Sequence, residues 1–105
     1  ISQGAYILFT CGGGVNQGAW EACVESGNVK AIGVDMPSSQ FSPSIITSAL
    51  KRVDVGVESV IKDLVENKFE GGKVKMFDLS NGGVGFEVTD HLPQSVIDFV
   101  ESKIK

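Results

Sequence analysis

The sequence is poor in the residues that cross-link, ligate or cleave. It has two cysteines, Cys11 and Cys23, and a single histidine, His91. Two cysteines are too few for a disulfide framework, and their spacing matches no metal-ligand pattern. Both are expected as buried free thiols. His91 stands in a loop before Pro93 with no serine or cysteine partner in any motif, so it does not read as a catalytic base. Ser48 and Ser80 lack a nucleophile-elbow pattern. No metal, no cofactor and no catalytic residue is expected. Basic residues are also scarce: the net charge is −4 and Lys51–Arg52 is the one basic pair. A surface that replaces phosphate counterions needs a basic stripe, which argues against nucleic acid as a partner. No apolar run reaches the ~18 residues of a membrane span, and no signal peptide is visible. These absences favour binding over chemistry.

What is present is ordinary for a globular chain, except glycine. Hydrophobic residues make up 42% and charged residues 21% of 105 residues, which predicts one folded domain over 1–105. The 13 glycines exceed the roughly seven or eight of average usage and fall mostly at the ends of apolar runs, as turns do. The chain opens at Ile1 without methionine, in "ISQG", read as a helix end running into a strand. That is the start expected of a piece of something longer.

Tyr6 to Cys11 is a continuous apolar run, the pattern of a strand covered on both faces. Asn16 to Glu25 has helical spacing through Ala19, Trp20, Cys23 and Val24, with Gly27 as its stop. Lys30 to Val34 predicts a second strand ending at Asp35, and Met36 to Ser44 a serine- and proline-rich loop. Periodicity leaves Ile45 to Ala49 open between a strand and the approach to a helix. Val53 to Phe69 is a long amphipathic helix pattern stopped by Gly71–Gly72. Lys73 to Leu79 alternates like a strand, "SNGGVGF" reads as a glycine-rich turn, and "LPQSVIDFVESKI" as a closing helix. Strands alternating with helices predict an α/β layered domain with a mainly parallel sheet.

In such a sheet, ligands bind beyond the carboxyl ends of the strands. Gly12–Gly13–Gly14, Asp35 and Ser80 to Gly85 would meet on that rim. One reading is a dinucleotide-binding enzyme: Gly12-x-Gly14-x-x-x-Gly18 opens a helix, and Asp35 follows about twenty residues on. The glycine spacing departs from that fingerprint. Asp35 can accept two hydrogen bonds from a vicinal diol, or it can serve only to stabilise its loop. Lys51 is either a solvated charge or a donor on the same rim. Trp20 is expected to pack the helix on the sheet, and Phe41 to stand exposed in the loop after Asp35.

Four segments resemble the second half of the basic membrane protein family, the PnrA-like substrate-binding lipoproteins of ABC transporters. They are "ILFTCGGGVNQGAWEA", "AIGVDM", "SIITSALKRVDVGVESVIKDLVENKFEGG" and "NGGVGF". The resemblance covers the whole chain but only about the last third of a family member. It implies part of the second lobe of a type I periplasmic-binding-protein fold, in which two α/β lobes close on a nucleoside, most often a purine nucleoside. It further implies ABC permease subunits as partners, a missing N-terminal lobe, and an extracytoplasmic full-length protein held at the membrane by a lipid anchor. By position, Asp35 would hold ribose hydroxyls, Lys51 would be a second polar contact, and Gly12, Gly13 and Gly14 would admit the ligand by close backbone approach. Val15 and Asn16 depart from the family's usual Thr/Gly pair, and Pro37 replaces a second acid. The same fold also serves as the ligand-sensing domain of regulators, which is the other alternative.

Overall fold

A computed structural model describes residues 1–104. Strand β1 (Ile7–Phe9) leads through a 3-10 turn (Gly13–Val15) into helix α1 (Asn16–Ser26). Strand β2 (Lys30–Asp35) connects through Met36–Ser44, with one 3-10 turn at Ser39–Phe41, to strand β3 (Ile45–Lys51). Helix α2 (Val53–Val65), strand β4 (Val84–Phe86) and helix α3 (Gln94–Glu101) complete the order. The sheet order is β1-β2-β3-β4, with β1, β2 and β3 parallel and β4 antiparallel to β3. This is the α/β layered, mainly parallel sheet with flanking helices that the alternation of patterns predicts. Parallel neighbours usually need a crossover of a dozen or more residues, often a helix. Here β2 returns to β3 through nine, so the connection must lie close against the sheet.

The core is small. Cys23 of α1 packs with Val29, Ala31 and Ile45, and Leu8 and Trp20 close its edge. Burial raises the Cys23 thiol above its ordinary pKa. Cys11, expected to be buried, is exposed, because β1 ends before it and the loop carries it out of the sheet. Ile7 and Phe9 are exposed too. A continuous apolar run cannot by itself tell a strand covered on both faces from one at a sheet edge, and β1 has only β2 beside it. The "ISQG" start is a turn closed by Gly4 N–H on the Ile1 carbonyl, not a helix end.

Helix α1 stops at Gly27 as expected, with φ 75°. Helix α2 stops earlier than the glycine pair implies. Asn67 takes a left-handed conformation, φ 55°, and the N–H groups of Asn67 and Lys68 bond the Leu64 and Asp63 carbonyls. That is the paired closure of a Schellman motif with asparagine in the glycine position. The apolar stripe of α2 forms as its spacing predicts, yet Val53, Val57, Ile61 and Leu64 all stay more than half exposed. The radius of gyration, 16.9 Å against about 13 Å for a compact domain of this length, reflects the same open faces.

Two expectations near the C-terminus are corrected. Lys73 to Leu79 forms no strand, and the strand lies instead at Val84–Phe86, inside the segment read as a turn. Alternation yields a strand only where a partner can pair with it. Val74 is 91% exposed, and Lys75 is drawn to Asp63 and Ser59 on α2. Val84, Gly85 and Phe86 instead find Lys51, Leu50 and Ala49 of β3.

Candidate functional site

The site begins with the end of β2. Asp35 has φ 72°, and the Met36 N–H donates to the Val34 carbonyl at 2.9 Å. A single residue at positive φ spanned by this bond is a γ-turn of the rare, strained kind. Aspartate tolerates positive φ better than most residues, but such backbone persists only where its surroundings hold it, and it gathers at ligand sites. The turn lifts the carboxylate out of the strand direction. Lys51, at the end of β3, meets it: Nζ lies 2.8 Å from Oδ1. The register pairs Asp35 with Leu50, so Lys51 stands one residue further along the same rim. The hydrogen bond to Asp35, then the carboxylate's charge, raises the Lys51 pKa. Both side chains are at least half exposed, so this pair orients the carboxylate more than it stabilises the fold.

On one side of Asp35 opens a cleft of about 430 Å³. Gly13, Gly14 and Gln17 form one bank, Asp35 and Ser38 the other, and Trp20 and Phe41 the apolar side. The two rings lie parallel, 3° apart in plane with centroids 6.5 Å apart. The Trp20 indole N–H donates to Thr10 Oγ1 at 3.0 Å, which fixes it against β1, while Phe41 remains 57% exposed. Of the three glycines, Gly13 and Gly14 line the cleft, and Gly13 supplies the left-handed turn with φ 64°. The Gly12 N–H is already bound by buried Asn16 Oδ1 at 2.8 Å, so Gly12 shapes the loop.

Lys51 lies on the other side of Asp35, in a groove of about 520 Å³ shared with Arg52 and Asp54. Arg52 grips Asp54 with Nε and Nη2, and that contact pulls the Asp54 pKa down to about 2. The glycine-rich segment also reaches this rim, by a different route from the one expected. Because β4 runs antiparallel, its beginning meets the end of β3, and the Arg52 N–H donates to the Gly83 carbonyl at 2.9 Å.

Glu87, just past β4, is absent from the sequence reading. Its carboxylate accepts from Ser38 N–H at 3.1 Å, Ser39 N–H at 3.3 Å and Ser48 Oγ at 2.7 Å, and from the Ser39 hydroxyl. Burial pushes its pKa up. The hydrogen bonds of Ser39 and Ser48 and of the two backbone N–H groups outweigh that and hold it below the ordinary value. The one available signal was a charge set among strand formers, in "VGFEV". Ser48 is fully buried and bonded to this carboxylate, and His91 touches Thr89 through its backbone. Among the described residues, no group of histidine, cysteine and acidic side chains could hold a metal ion. None of the described helices is long and apolar enough to cross a membrane. The arrangement can accept hydrogen bonds from a polar solute and offer it a flat apolar wall.

This α/β frame is one that ABC transporter solute-binding proteins share. The chain belongs to the Bmp family, the PnrA-like ABC transporter substrate-binding proteins, whose family model matches residues 1–105. It is 33% identical to an uncharacterised lipoprotein of Pyrococcus furiosus over 100 residues, 90% of this chain and 25% of that protein. It is 25% identical to the ABC transporter nucleoside-binding protein BmpA of Lactococcus lactis, covering 97% of this chain and 36% of the relative. A crystal structure of an ABC transporter solute-binding protein from Aeropyrum pernix superposes with a TM-score of 0.70 at 31% identity, over 97% of this chain and 28% of the other. A transcriptional activator of the comK gene from Bacillus halodurans superposes at 0.85 with 25% identity, over 98% and 36%. The chain thus spans about a quarter to a third of its relatives' length. The family consists of solute-binding transport proteins, not enzymes.

Proposed function

We propose that the chain forms one wall of the solute cleft in an extracytoplasmic, lipid-anchored binding protein that delivers a nucleoside to an ABC permease. The observation that carries this reading is the Asp35 carboxylate, turned out of β2 by a strained backbone and steadied by Lys51, on the wall of a cleft with an aromatic side. A ribose offers two adjacent hydroxyls, and a carboxylate accepts both. Gly13 and Gly14 let a ring approach the backbone, and Trp20 with Phe41 offers the base an apolar surface. A second lobe supplies the remaining contacts, and solute bridging the two favours a closed form for the permease to recognise. The nucleoside-binding description of the Lactococcus relative supports the solute class, and the lipoprotein relatives support the anchor.

Titration calorimetry on the full-length protein tests this. Adenosine should bind, 2′,3′-dideoxyadenosine should bind about 10–100-fold more weakly, and Asp35→Asn should lose a similar factor for adenosine, as expected for losing hydrogen bonds to a charged group. Equal affinity for the two nucleosides, or an unchanged Asp35→Asn variant, refutes the assignment. The fold shared with a transcriptional activator keeps a ligand-sensing role as the second reading, with the same cleft and a different output.

A further inference from the structure

We propose that Glu87 is a positioning residue for the solute cleft, holding the Met36–Ser44 connection in the shape that presents Asp35, Ser38 and Phe41 to the solute. The inference rests on the cleft assigned above. The connection is nine residues long, has no charged side chain and contains only one 3-10 turn, so it has little structure of its own. Its third and fourth residues, Ser38 and Ser39, are instead fastened to the sheet by one carboxylate some fifty residues away. Glu87 takes the N–H groups of Ser38 and Ser39 and the Ser39 hydroxyl from the connection, and the Ser48 hydroxyl from β3 beneath it. Its own backbone is tied down as well: Glu87 N–H donates to the Ser48 carbonyl at 2.9 Å, and Thr47 Oγ1 donates to the Glu87 carbonyl at 2.7 Å.

The choice of residue follows from the donors. Four hydrogen-bond donors converge, and only an ionised carboxylate accepts them all without turning a donor of its own toward them. The sheet is cleared for this meeting by Gly33, where a Cβ would stand 2.6 Å from Ser48 Oγ and 2.7 Å from Ser38 Cβ. Ser38 lines the cleft three residues after the Asp35 turn, and Phe41 stacks on Trp20 three residues further on. The anchor therefore sits between the strained turn and the aromatic wall. Strain of the kind found at Asp35 persists only when its neighbours over-determine it. Lys51 steadies the side chain of Asp35, and Glu87 fixes the backbone that follows.

Trp20 is the chain's only tryptophan, so its emission reports whether Phe41 stays in place. In the full-length protein the signal is isolated by subtracting the spectrum of the Trp20→Phe counterpart. Glu87→Gln places an amide donor against N–H and hydroxyl donors. It should red-shift Trp20 emission, make it more accessible to acrylamide, and weaken adenosine binding about tenfold. Ser39→Ala removes one of the four contacts, the hydroxyl, and keeps the Ser39 N–H and the Glu87 charge; it should shift both readouts the same way, by less, and it decides the matter if Glu87→Gln does not fold. A lowered melting temperature with unchanged Trp20 emission and unchanged affinity in these variants overturns the proposal, because it leaves Glu87 a structural role only. If the unmodified protein binds no adenosine, the nucleoside reading fails by itself, and Trp20 emission still decides the role of Glu87.

Discussion

Replacing Asp35 separates what the site costs from what it does. Asp35→Ala and Asp35→Gly both delete the carboxylate and its contact with Lys51, so that loss cancels between them. They differ in the backbone. Alanine keeps a Cβ at φ 72°, where a non-glycine residue carries about 1–2 kcal/mol of steric strain. Glycine removes the strain but adds freedom to the unfolded chain, worth about 0.4–1 kcal/mol in the opposite direction. The balance leaves glycine more stable by about 1 kcal/mol, read as a melting temperature roughly 1–2 °C higher in a protein of family size. Thermal unfolding of the two full-length variants, followed by circular dichroism, measures the difference, and calorimetry with adenosine should find both equally deficient in binding. An alanine variant that melts at or above the glycine variant refutes the claim that this backbone is strained. Equal melting with restored binding in either would refute the role given to the carboxylate.

Two further outcomes follow from the Glu87 anchor. Gly33→Ala puts a methyl group into Ser48 and Ser38, an overpacking worth about 1–3 kcal/mol, so urea unfolding should show a lowered midpoint; an unchanged one would mean that the serines give way freely. Because the folded protein holds the Glu87 pKa below its ordinary value of 4.5, its contribution is fully present above that pH and fades as the pH falls through the folded-state pKa. The stability gap between the unmodified protein and Glu87→Gln should therefore narrow on acidification below about pH 4.5, and a gap that widens there contradicts the assignment.

Much of the fold is legible where the cue is local. Asp35 is legible as the end of β2, but periodicity leaves Ile45 to Ala49 open, so the strand that ends at Lys51, and with it the pairing of this acid with this base, appears only in the structure. Gly27 is readable as a stop because a left-handed position favours glycine. Asn67 was less so, since asparagine fills that position less often and Gly71–Gly72 stood nearby as the more obvious candidates. Lys73 to Leu79 misled for a different reason: alternation marks two faces, but pairing depends on a neighbour that sequence order does not disclose. Cys11 and Phe9 went the same way, because apolar character states a preference for burial and not the presence of something to bury against. Glu87 was hidden most deeply. Its partners are backbone N–H groups and plain serines far along the chain, and nothing in their composition marks them as a set.

The short connection between β2 and β3 also bears on which changes the chain can accumulate. A helical crossover absorbs an inserted residue by sliding along its own axis or lengthening a turn. Met36–Ser44 has no such slack, since Asp35 is fixed at one end, Ser38 and Ser39 are bound in the middle, and the Ser44 carbonyl is held by the Ala31 N–H at the other. One added residue must displace the turn at Asp35, the serine contacts or the place of Phe41. The stretch from Phe69 to Val74, outside every strand and helix and ahead of the Lys75 contacts with α2, is tied among the described residues only within itself, by the Glu70–Lys73 ion pair. Length variation among relatives is therefore expected to collect there, while diversity in the β2–β3 connection is confined to exchanges of side chain at constant length.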